Sequence, residues 1–200
     1  MIDFGAIHRV IREKYHAGTS RSSGRQPIVL KANGRDTLAE VFCALGMNKG
    51  VEIGVKSGDF SKVLCLANPS LELSSIDPWD TIQDRYQGRR RRYYRRAVQN
   101  LAPFNAKLIR KTSQDALADF PDGSLDFAYI DGNHMFDFAC PDIIFWSYKV
   151  RSGGIVACHD YFHFRQCDVV AAVDAYIHSH NISPHYTTME VLPSVFWVKP

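Results

Sequence analysis

Short apolar segments alternate with amphipathic segments along the chain from about residue 47 onward. The apolar segments are typical of buried β-strands, whereas the amphipathic segments have the apolar spacing of helices. This alternation predicts right-handed β-α-β crossovers, an α/β fold and a mostly parallel sheet. The predicted strands are 50–53, 71–76, 106–111, 125–130, 154–159, 185–191 and 194–198, and the predicted helices are 36–45, 61–66, 89–101, 114–120, 136–150 and 168–178.

The last two predicted strands follow the final helix and are separated by Pro193. Because five β-α units precede them, we expect these strands to pair as a hairpin at one edge of the sheet. The predicted fold is therefore a Rossmann-like three-layer α/β sandwich, with a mostly parallel seven-stranded sheet and an antiparallel last strand.

The first 35 residues are predicted to precede the domain body as a helix and a connector. Residues 1–16 have the pattern of an amphipathic helix, without the apolar stretch or cleavage site of a signal peptide. Residues 19–34 are rich in Ser, Gly and Arg, which favours a mobile connector. The domain itself is then expected to span residues 36–200.

Composition excludes several classes of protein. The chain has 200 residues, which suits one α/β domain, and 46% hydrophobic with 22% charged residues excludes disorder. A net charge of +3 is too small to imply a polyanionic partner, and no apolar run approaches the roughly 20 residues of a membrane helix. The five cysteines are scattered without a Cys-x-x-Cys pair, which favours free thiols and a cytoplasmic location.

A glycine loop with the pattern E-x-G-x-x-x-G, Glu52 to Gly58, follows the first predicted strand of the domain. Such glycines allow a tight strand-to-helix turn and a close approach of backbone to ligand. The loop lacks the G-x-G-x-x-G spacing of pyrophosphate sites, which disfavours nicotinamide dinucleotides. A ligand with an amino-acid tail and one nucleoside fits better, because Glu52 can meet an ammonium and helix N–H groups a carboxylate. A tight turn without a ligand is the alternative.

An acid follows the next strand, roughly 20 residues beyond the loop. Asp77 stands where a carboxylate accepts both ribose hydroxyls, and Trp79 is close enough to cover an adenine or ribose face. Alternatively, Asp77 starts a turn before Pro78 and Trp79 belongs to the core.

A third polar segment, Ser113, Gln114 and Asp115, follows the strand 106–111 and opens a helix. Ser113 is a candidate helix cap, and all three side chains are candidates for the adenine edge. The predicted cofactor-binding residues are Glu52, Gly54, Gly58, Ser61, Asp77, Trp79, Ser113, Gln114 and Asp131.

Together with these segments, two strand ends, Ile-Asp-Gly-Asn-His at 130–134 and His-Asp-Tyr at 159–161, resemble class I S-adenosylmethionine-dependent methyltransferases. The resemblance covers roughly residues 36–198 and is strongest to bacterial small-molecule O-methyltransferases, with similarity to catechol O-methyltransferases. It implies S-adenosylmethionine as cofactor and Asp131 and Asp160 at the reacting centre.

In the wider family, the acids at the Asp131 and Asp160 positions hold a magnesium ion. The family's next residue is a carboxamide or acid, whereas this chain has Tyr161, a poor magnesium ligand. Some relatives use an acid immediately before the strand-five aspartate, and here that position is His159, which suits zinc, manganese or iron better. The candidate metal ligands are therefore Asp131, Asp160 and His159.

A general base is expected three residues after Asp131, where the catechol enzymes have a lysine and this chain has His134. A histidine of near-neutral pKa can take the proton of an acceptor hydroxyl. The alternatives are a loop histidine that caps a helix or bonds Asp131, and a base role for His163.

Residues 85–96 contain a dense run of arginines and tyrosines. Such a run can bind phosphates and stack on bases, which would favour RNA or a phosphorylated or acidic substrate. It is equally the solvated face of a helix whose inner face carries Tyr94, Ala97, Val98 and Leu101.

The sequence thus predicts an O-methyltransferase for a small hydroxylated metabolite, such as a sugar or an aromatic compound, with Asp131, His134 and Asp160 as its catalytic residues. The alternatives are an RNA-binding or RNA-modifying protein and a metal-dependent hydroxylase on the same fold. Neither a membrane partner nor a particular oligomeric state is implied.

Overall fold

The computed structural model describes residues 2–16, 26–30, 34–79, 87–164 and 167–200. The helices are α1 Phe4–Lys14, α2 Arg35–Ala44, α3 Asp59–Ala67, α4 Gln87–Leu101, α5 Ser113–Ala116, α6 Phe136–Lys149 and α7 Val169–Ser179, with a 3-10 turn at Leu117–Asp119. The strands are β1 Ile28–Leu30, β2 Lys49–Ile53, β3 Glu72–Ile76, β4 Ala106–Ile109, β5 Leu125–Ile130, β6 Val150–Cys158, β7 His185–Thr188 and β8 Val195–Val198.

All eight strands form one sheet in the order β1-β7-β8-β6-β5-β2-β3-β4. Strand β8 is antiparallel to both β6 and β7, and the other pairs are parallel. The predicted α/β fold with a mostly parallel sheet and an antiparallel last strand is confirmed. The final hairpin also forms. Strand β8 lies between β6 and β7, and β1 rather than this hairpin forms the edge of the sheet.

The sheet has one strand more than the seven predicted, because part of the expected connector is β1. Ile28 and Leu30 are buried and pair with Tyr186 and Thr188 of β7, while Val29 faces solvent. Three alternating residues are too short a pattern to distinguish from a loop. Residues 19–25 and 31–33 of the expected connector lie outside the described residues.

Core side chains lie on both faces of the sheet, and β5 shows how its sequence separates them. Phe127 and Tyr129 join the cluster beneath α2 and α3, where Phe127 stacks on Phe42 with ring centres 4.0 Å apart. Ala128 and Ile130 face the opposite cluster, with Trp146 of α6. Alternate side chains of a strand point to opposite faces, so one strand supplies both cores of a three-layer sandwich.

Helix α1 packs on the same core as the sheet. It starts at an Asp3 cap, whose carboxylate accepts a hydrogen bond from Ala6 N at 2.9 Å. Ile11 and Tyr15 are fully buried in the cluster that contains Phe42 and Phe127. Within the described ranges, no helix has the length and apolarity needed to cross a membrane.

Helix α4 carries most of the arginine run on its exposed side. Ala97 and Leu101 are buried and Tyr94 is half-buried, as expected for the inner face, whereas Val98 is exposed and was wrongly assigned to it. The arginines at 91, 92, 95 and 96 are exposed, while Arg85 and Tyr86 lie outside the described residues. The exposed face of a helix accounts for the run without a bound polyanion.

The glycine loop leaves β2 across the end of β5. Gly54 has φ +89°, and a Cβ atom there would lie 1.9 Å from the carbonyl oxygen of Asp131. Two hydrogen bonds fix this crossing, from Gly54 N to Ile76 O at 2.9 Å and from Asp131 N to Ile53 O at 2.8 Å. Only glycine fits here, for its conformation and for its lack of volume.

We expect Gly54→Ala to lower the free energy of unfolding by at least about 3 kcal/mol, because backbone strain and a clash with fixed backbone add together. The measurement is urea denaturation. Gly46→Ala is the matched control, since Gly46 has φ +65° but open space around it, and strain alone costs about 1–2 kcal/mol. Equal losses in the two variants would show that the close approach to Asp131 is not limiting.

Candidate active site

The glycine loop, Asp77 and the strand ends that follow lie together at the carboxyl edge of the sheet. Gly58, with φ +72°, begins helix α3 in a left-handed conformation that favours glycine. Asp77 closes the loop, because its Oδ2 accepts from Lys56 N at 2.8 Å and its Oδ1 from Trp79 N at 2.9 Å. Burial raises the pKa of Asp77, and these two backbone donors act against that shift. Each oxygen keeps a lone pair for a further donor.

Trp79 is packed beneath this loop rather than exposed beside it. Its ring is buried against Val55 and Ala97, and its indole N–H donates to Lys56 O at 2.7 Å. Tyr94 lies against it with ring centres 5.1 Å apart. Trp79 thus supports the loop that Asp77 closes, as the alternative interpretation of its sequence position holds.

Glu52 lies at the bottom of the loop and is buried. Ser61 of α3 donates a hydrogen bond to its carboxylate, and Ser75 of β3 donates to Ser61 at 3.3 Å. Burial raises the pKa of Glu52 to about 8, despite the Ser61 hydrogen bond. A cation bound close by would favour its ionised form, which suits the predicted contact with a ligand ammonium.

The segment that is predicted to contact adenine is held in place by an acid that was not predicted from the sequence. Asp142 of α6 is buried, and its Oδ1 accepts from Ser113 Oγ and from Gln114 Nε2, the latter at 3.2 Å. Trp146 donates its indole N–H to Ser113 Oγ at 2.7 Å. Burial raises the pKa of Asp142 to about 6. In the sequence, Asp142 is marked only by being a single acid on the apolar side of a helix.

The helix cap predicted at Ser113 is formed by the preceding residue, Thr112. Thr112 is the N-cap of α5, accepting from Asp115 N at 3.1 Å and donating to the Asp115 carboxylate at 2.7 Å. The Thr112 hydroxyl thus satisfies one of the free backbone N–H groups at the start of the helix. Ser113 is thereby free to face Asp142, whereas Asp115 is turned to the cap.

Asp131, His134 and Asp160 meet where β5 and β6 end. His134 Nε2 lies 2.8 Å from Asp160 Oδ2 and 3.9 Å from Asp131 Oδ1. One ligand atom from each residue falls within 4.8 Å of the other two. Because parallel strands end at the same edge, loops that are far apart in sequence bring their acids together.

Charge within this cluster is strongly coupled. The carboxylates of Asp131 and Asp160 raise the pKa of His134 to about 10, and His134 in turn lowers the pKa of Asp160. His134 is therefore charged at neutral pH, which differs from the near-neutral histidine expected from sequence. The loop is fixed by a hydrogen bond from Asp168 N to His134 O at 2.8 Å.

Arg35 is a second residue that the sequence reading missed. It is the first residue of α2, and its Nη1 lies 3.5 Å from Asp131 Oδ2. Its guanidinium also lies over the Phe60 ring, 4.8 Å from the ring centre. Arg35 precedes the glycine loop and belongs to no motif, so only the packing of α2 reveals it.

The other candidate residues, His159, Tyr161 and His163, have different surroundings. His159 is buried, with Nδ1 3.1 Å from Ser194 Oγ, although its Nε2 comes within 3.6 Å of Asp160 Oδ1. Tyr161 donates to Asp174 of α7 at 2.6 Å, and His163 is exposed on the following loop. Among the described residues, His134 rather than His159 joins the two acids.

This donor set does not fit magnesium. Magnesium requires near-octahedral oxygen ligands, whereas the third donor here is an imidazole, and the neighbouring Tyr161 is turned away. The carboxylates already face cationic side chains, Asp131 facing Arg35 and Asp160 facing His134. Asp160 Oδ1, which is buried without a hydrogen-bond partner, is the one oxygen that a further donor or cation would satisfy.

An α/β sheet with a glycine loop, an acidic turn and a titratable cluster at its carboxyl edge is the architecture of enzymes that bind a nucleoside cofactor there. Residues 51–161 match a family described as a methyltransferase domain. Because the match covers more than half of the chain, this protein belongs to the methyltransferase domain family.

Solved structures of the same fold include two O-methyltransferases. One, from Bacillus cereus in complex with S-adenosylhomocysteine, is 11% identical with a TM-score of 0.61, covering 100% of this chain and 93% of that one. TomG from Streptomyces achromogenes, an O-methyltransferase of tomaymycin synthesis solved with S-adenosylmethionine, is 15% identical with a TM-score of 0.60, covering 100% and 92%. No curated protein sequence matches the chain. At such identities the likeness is one of fold.

We expect the His134 imidazole to titrate near pH 10, because two carboxylates favour its charged form. Since this folded-state pKa lies above the ordinary value of 6.5, the ion pair stabilises the fold fully below about pH 6.5 and the contribution is lost as pH rises towards 10. NMR of the imidazole carbons measures the pKa, with His134→Gln to assign the signal.

Asp160→Asn should lower the pKa of His134 towards the ordinary value of 6.5. Asp137→Asn is the control, because Asp137 is an exposed acid in the first turn of α6, and it should leave the pKa of His134 unchanged. A wild-type titration near 6.5 would show that the two carboxylates do not act on His134.

Proposed function

We propose that this methyltransferase transfers the methyl group of S-adenosylmethionine to a hydroxyl group of a small molecule. The observation that carries the proposal is the contact between Gly54 and the Asp131 carbonyl, which joins a nucleoside-type loop directly to an acid–histidine cluster. A cofactor seated on the loop then has its reactive end beside that cluster. The family match and the fold shared with cofactor-bound O-methyltransferases support this assignment.

The cofactor half of the site consists of the residues predicted from sequence, with two changes. Asp77 offers its carboxylate to the ribose hydroxyls, and Glu52, tuned by Ser61, lies where the amino-acid tail passes the loop. Ser113 and Gln114, ordered by Asp142, form the adenine contact. Trp79 supports the loop from below instead of covering a cofactor ring.

The reacting half uses His134 as proton acceptor. When bound, S-adenosylmethionine supplies an activated methyl group, so the protein has to align the acceptor oxygen and receive its proton. His134 is held by Asp160, and it accepts a proton only after losing its own. Turnover should therefore increase as pH rises through the alkaline range.

The loops after β5 and β6 carry exposed apolar side chains. Met135 and Phe136 after β5 and Phe164 after β6 are large exposed side chains close to the cluster in sequence. A hydrogen bond from Phe136 N to the Asp168 carboxylate at 3.4 Å ties the two loops together. Exposed apolar side chains on the loops that also carry the polar cluster suit an acceptor with an aromatic or aliphatic body and a hydroxyl group. This favours the aromatic over the sugar alternative.

Calorimetric titration with S-adenosylhomocysteine tests the cofactor assignment. We expect micromolar binding by the wild type, and Asp77→Ala should weaken it about 10- to 100-fold, since hydrogen bonds to a charged group are lost. Glu72→Ala is the matched control, because Glu72 is an exposed acid at the opposite end of the same strand. Absence of binding by the wild type would remove the proposed function.

His134→Ala should behave in the opposite way, reducing turnover by at least about 100-fold with S-adenosylhomocysteine affinity nearly unchanged. Turnover is read as methyl transfer to a panel of phenols and aliphatic alcohols. Loss of cofactor binding in this variant would contradict the assigned role of His134.

Asp142→Ala should weaken S-adenosylhomocysteine binding about tenfold, because Ser113 and Gln114 lose their shared acceptor. Asp142→Asn keeps an oxygen acceptor and should retain most of the affinity. Asp137→Ala, an exposed acid on the same helix, is the control. Equal binding by wild type and Asp142→Ala would place the adenine contact elsewhere.

A further inference from the structure

Arg35 lies beside Asp131 of the reacting centre, although it belongs to none of the sequence motifs described above. It stands at the start of α2, and its Nη1 lies 3.5 Å from Asp131 Oδ2. We propose that Arg35 is the resident counter-ion of Asp131 and makes the centre independent of a divalent metal. The inference builds on the proposed function, because it says how that reaction proceeds without the magnesium ion that the family resemblance implies.

Several contacts hold Arg35 in this position. Its guanidinium lies over Phe60 of α3, 4.8 Å from the ring centre, on the helix that the glycine loop begins. Its backbone N–H donates to Glu190 Oε1 at 3.0 Å, which fixes the start of α2 to the turn between β7 and β8. A side chain held both by its ring contact and by its backbone loses little further entropy when it pairs with Asp131.

Three of the four carboxylate oxygens of Asp131 and Asp160 already face a cationic side chain, and Asp160 Oδ1 is the exception. Arg35 approaches Asp131 Oδ2, while His134 Nε2 approaches Asp131 Oδ1 at 3.9 Å and Asp160 Oδ2 at 2.8 Å. A divalent ion on Asp131 would stand beside a guanidinium that cannot lose its charge. Like charges at such distances repel strongly at a partly buried site, so the ion would have to displace Arg35 first.

Arg35 also has a place in the chemistry. The acceptor oxygen gains negative charge as it gives up its proton, and a fixed positive group near Asp131 stabilises that charge without reorganisation. Arg35 acts through Asp131, which it holds in orientation, and is therefore a positioning residue. Its side chain remains about one-third exposed, so the pair lies open to the acceptor side of the edge.

The experiment compares manganese binding by the wild type, Arg35→Met and Arg35→Lys, using electron paramagnetic resonance of added MnCl2. Methionine keeps the apolar stem and removes the charge, whereas lysine keeps the charge. We expect negligible binding by wild type and Arg35→Lys, and affinity at least about tenfold higher in Arg35→Met. Adding Asp131→Asn to Arg35→Met should abolish the gained binding. Arg9→Met, at an exposed position of α1, is the matched control and should resemble the wild type.

Turnover provides the second readout. Wild-type methyl transfer should be unchanged by EDTA, and Arg35→Met should lose kcat about tenfold, with S-adenosylhomocysteine affinity retained and part of kcat restored in Arg35→Lys. Manganese binding by the wild type that depends on Asp131, or loss of turnover with EDTA, would overturn the proposal. Failure of the wild type to bind S-adenosylhomocysteine would overturn the proposed function instead, and the manganese titration would still decide the role of Arg35.

Discussion

The site depends on one close approach, between the backbone of Gly54 and the carbonyl of Asp131. Strands β2 and β5 are parallel neighbours, and the chain leaving β2 passes close to the end of β5 before it enters α3. A side chain at Gly54 would collide with the Asp131 backbone. Because the loop passes without a side chain at this point, the glycine loop and Asp131 are direct neighbours. The rest of the edge is arranged around this crossing.

Several carboxylates are concentrated at this edge, and their surroundings give them different properties. Burial raises the pKa values of Glu52 and Asp142, for which one or two neutral hydrogen-bond donors are the compensation. The pKa of Asp160 is lowered instead, because a charged imidazole lies beside it. Burying a carboxylate is costly unless a donor or cation compensates it. These buried carboxylates lie at one edge of the sheet, where a ligand with both an ammonium and polar edges would offset part of this cost.

The features predicted correctly from the sequence are those that depend on residues close to one another along the chain. Strand and helix alternation predicted the sheet, and Asp131, His134 and Asp160 were recognisable because each stands within a few residues of a strand end. Arg35 and Asp142 were not, since each reaches the site by packing of a helix whose own sequence points only to amphipathicity. Strand β1 was missed because its three residues depend on β7 for their hydrogen bonds. His134 was found, but its charge was not, because a pKa is set by neighbours that only the fold assembles.

Methyl transfer from a sulfonium explains why so few side chains distinguish this chain. The donor is already activated, so catalysis requires alignment, exclusion of water and a destination for one proton. The cofactor half can therefore keep a constant arrangement of loop, Asp77 and Ser113. In the proposed arrangement, the acceptor half consists of the loops after β5, β6 and β7, where a change of side chain need not disturb the sheet. The family match, over residues 51–161, includes segments of both halves, and it does not identify the acceptor. Arg35 lies between them, on a helix that precedes the whole cofactor motif. Under the proposal for Arg35, a substitution there changes the electrostatics around Asp131 while the cofactor contacts stay in place.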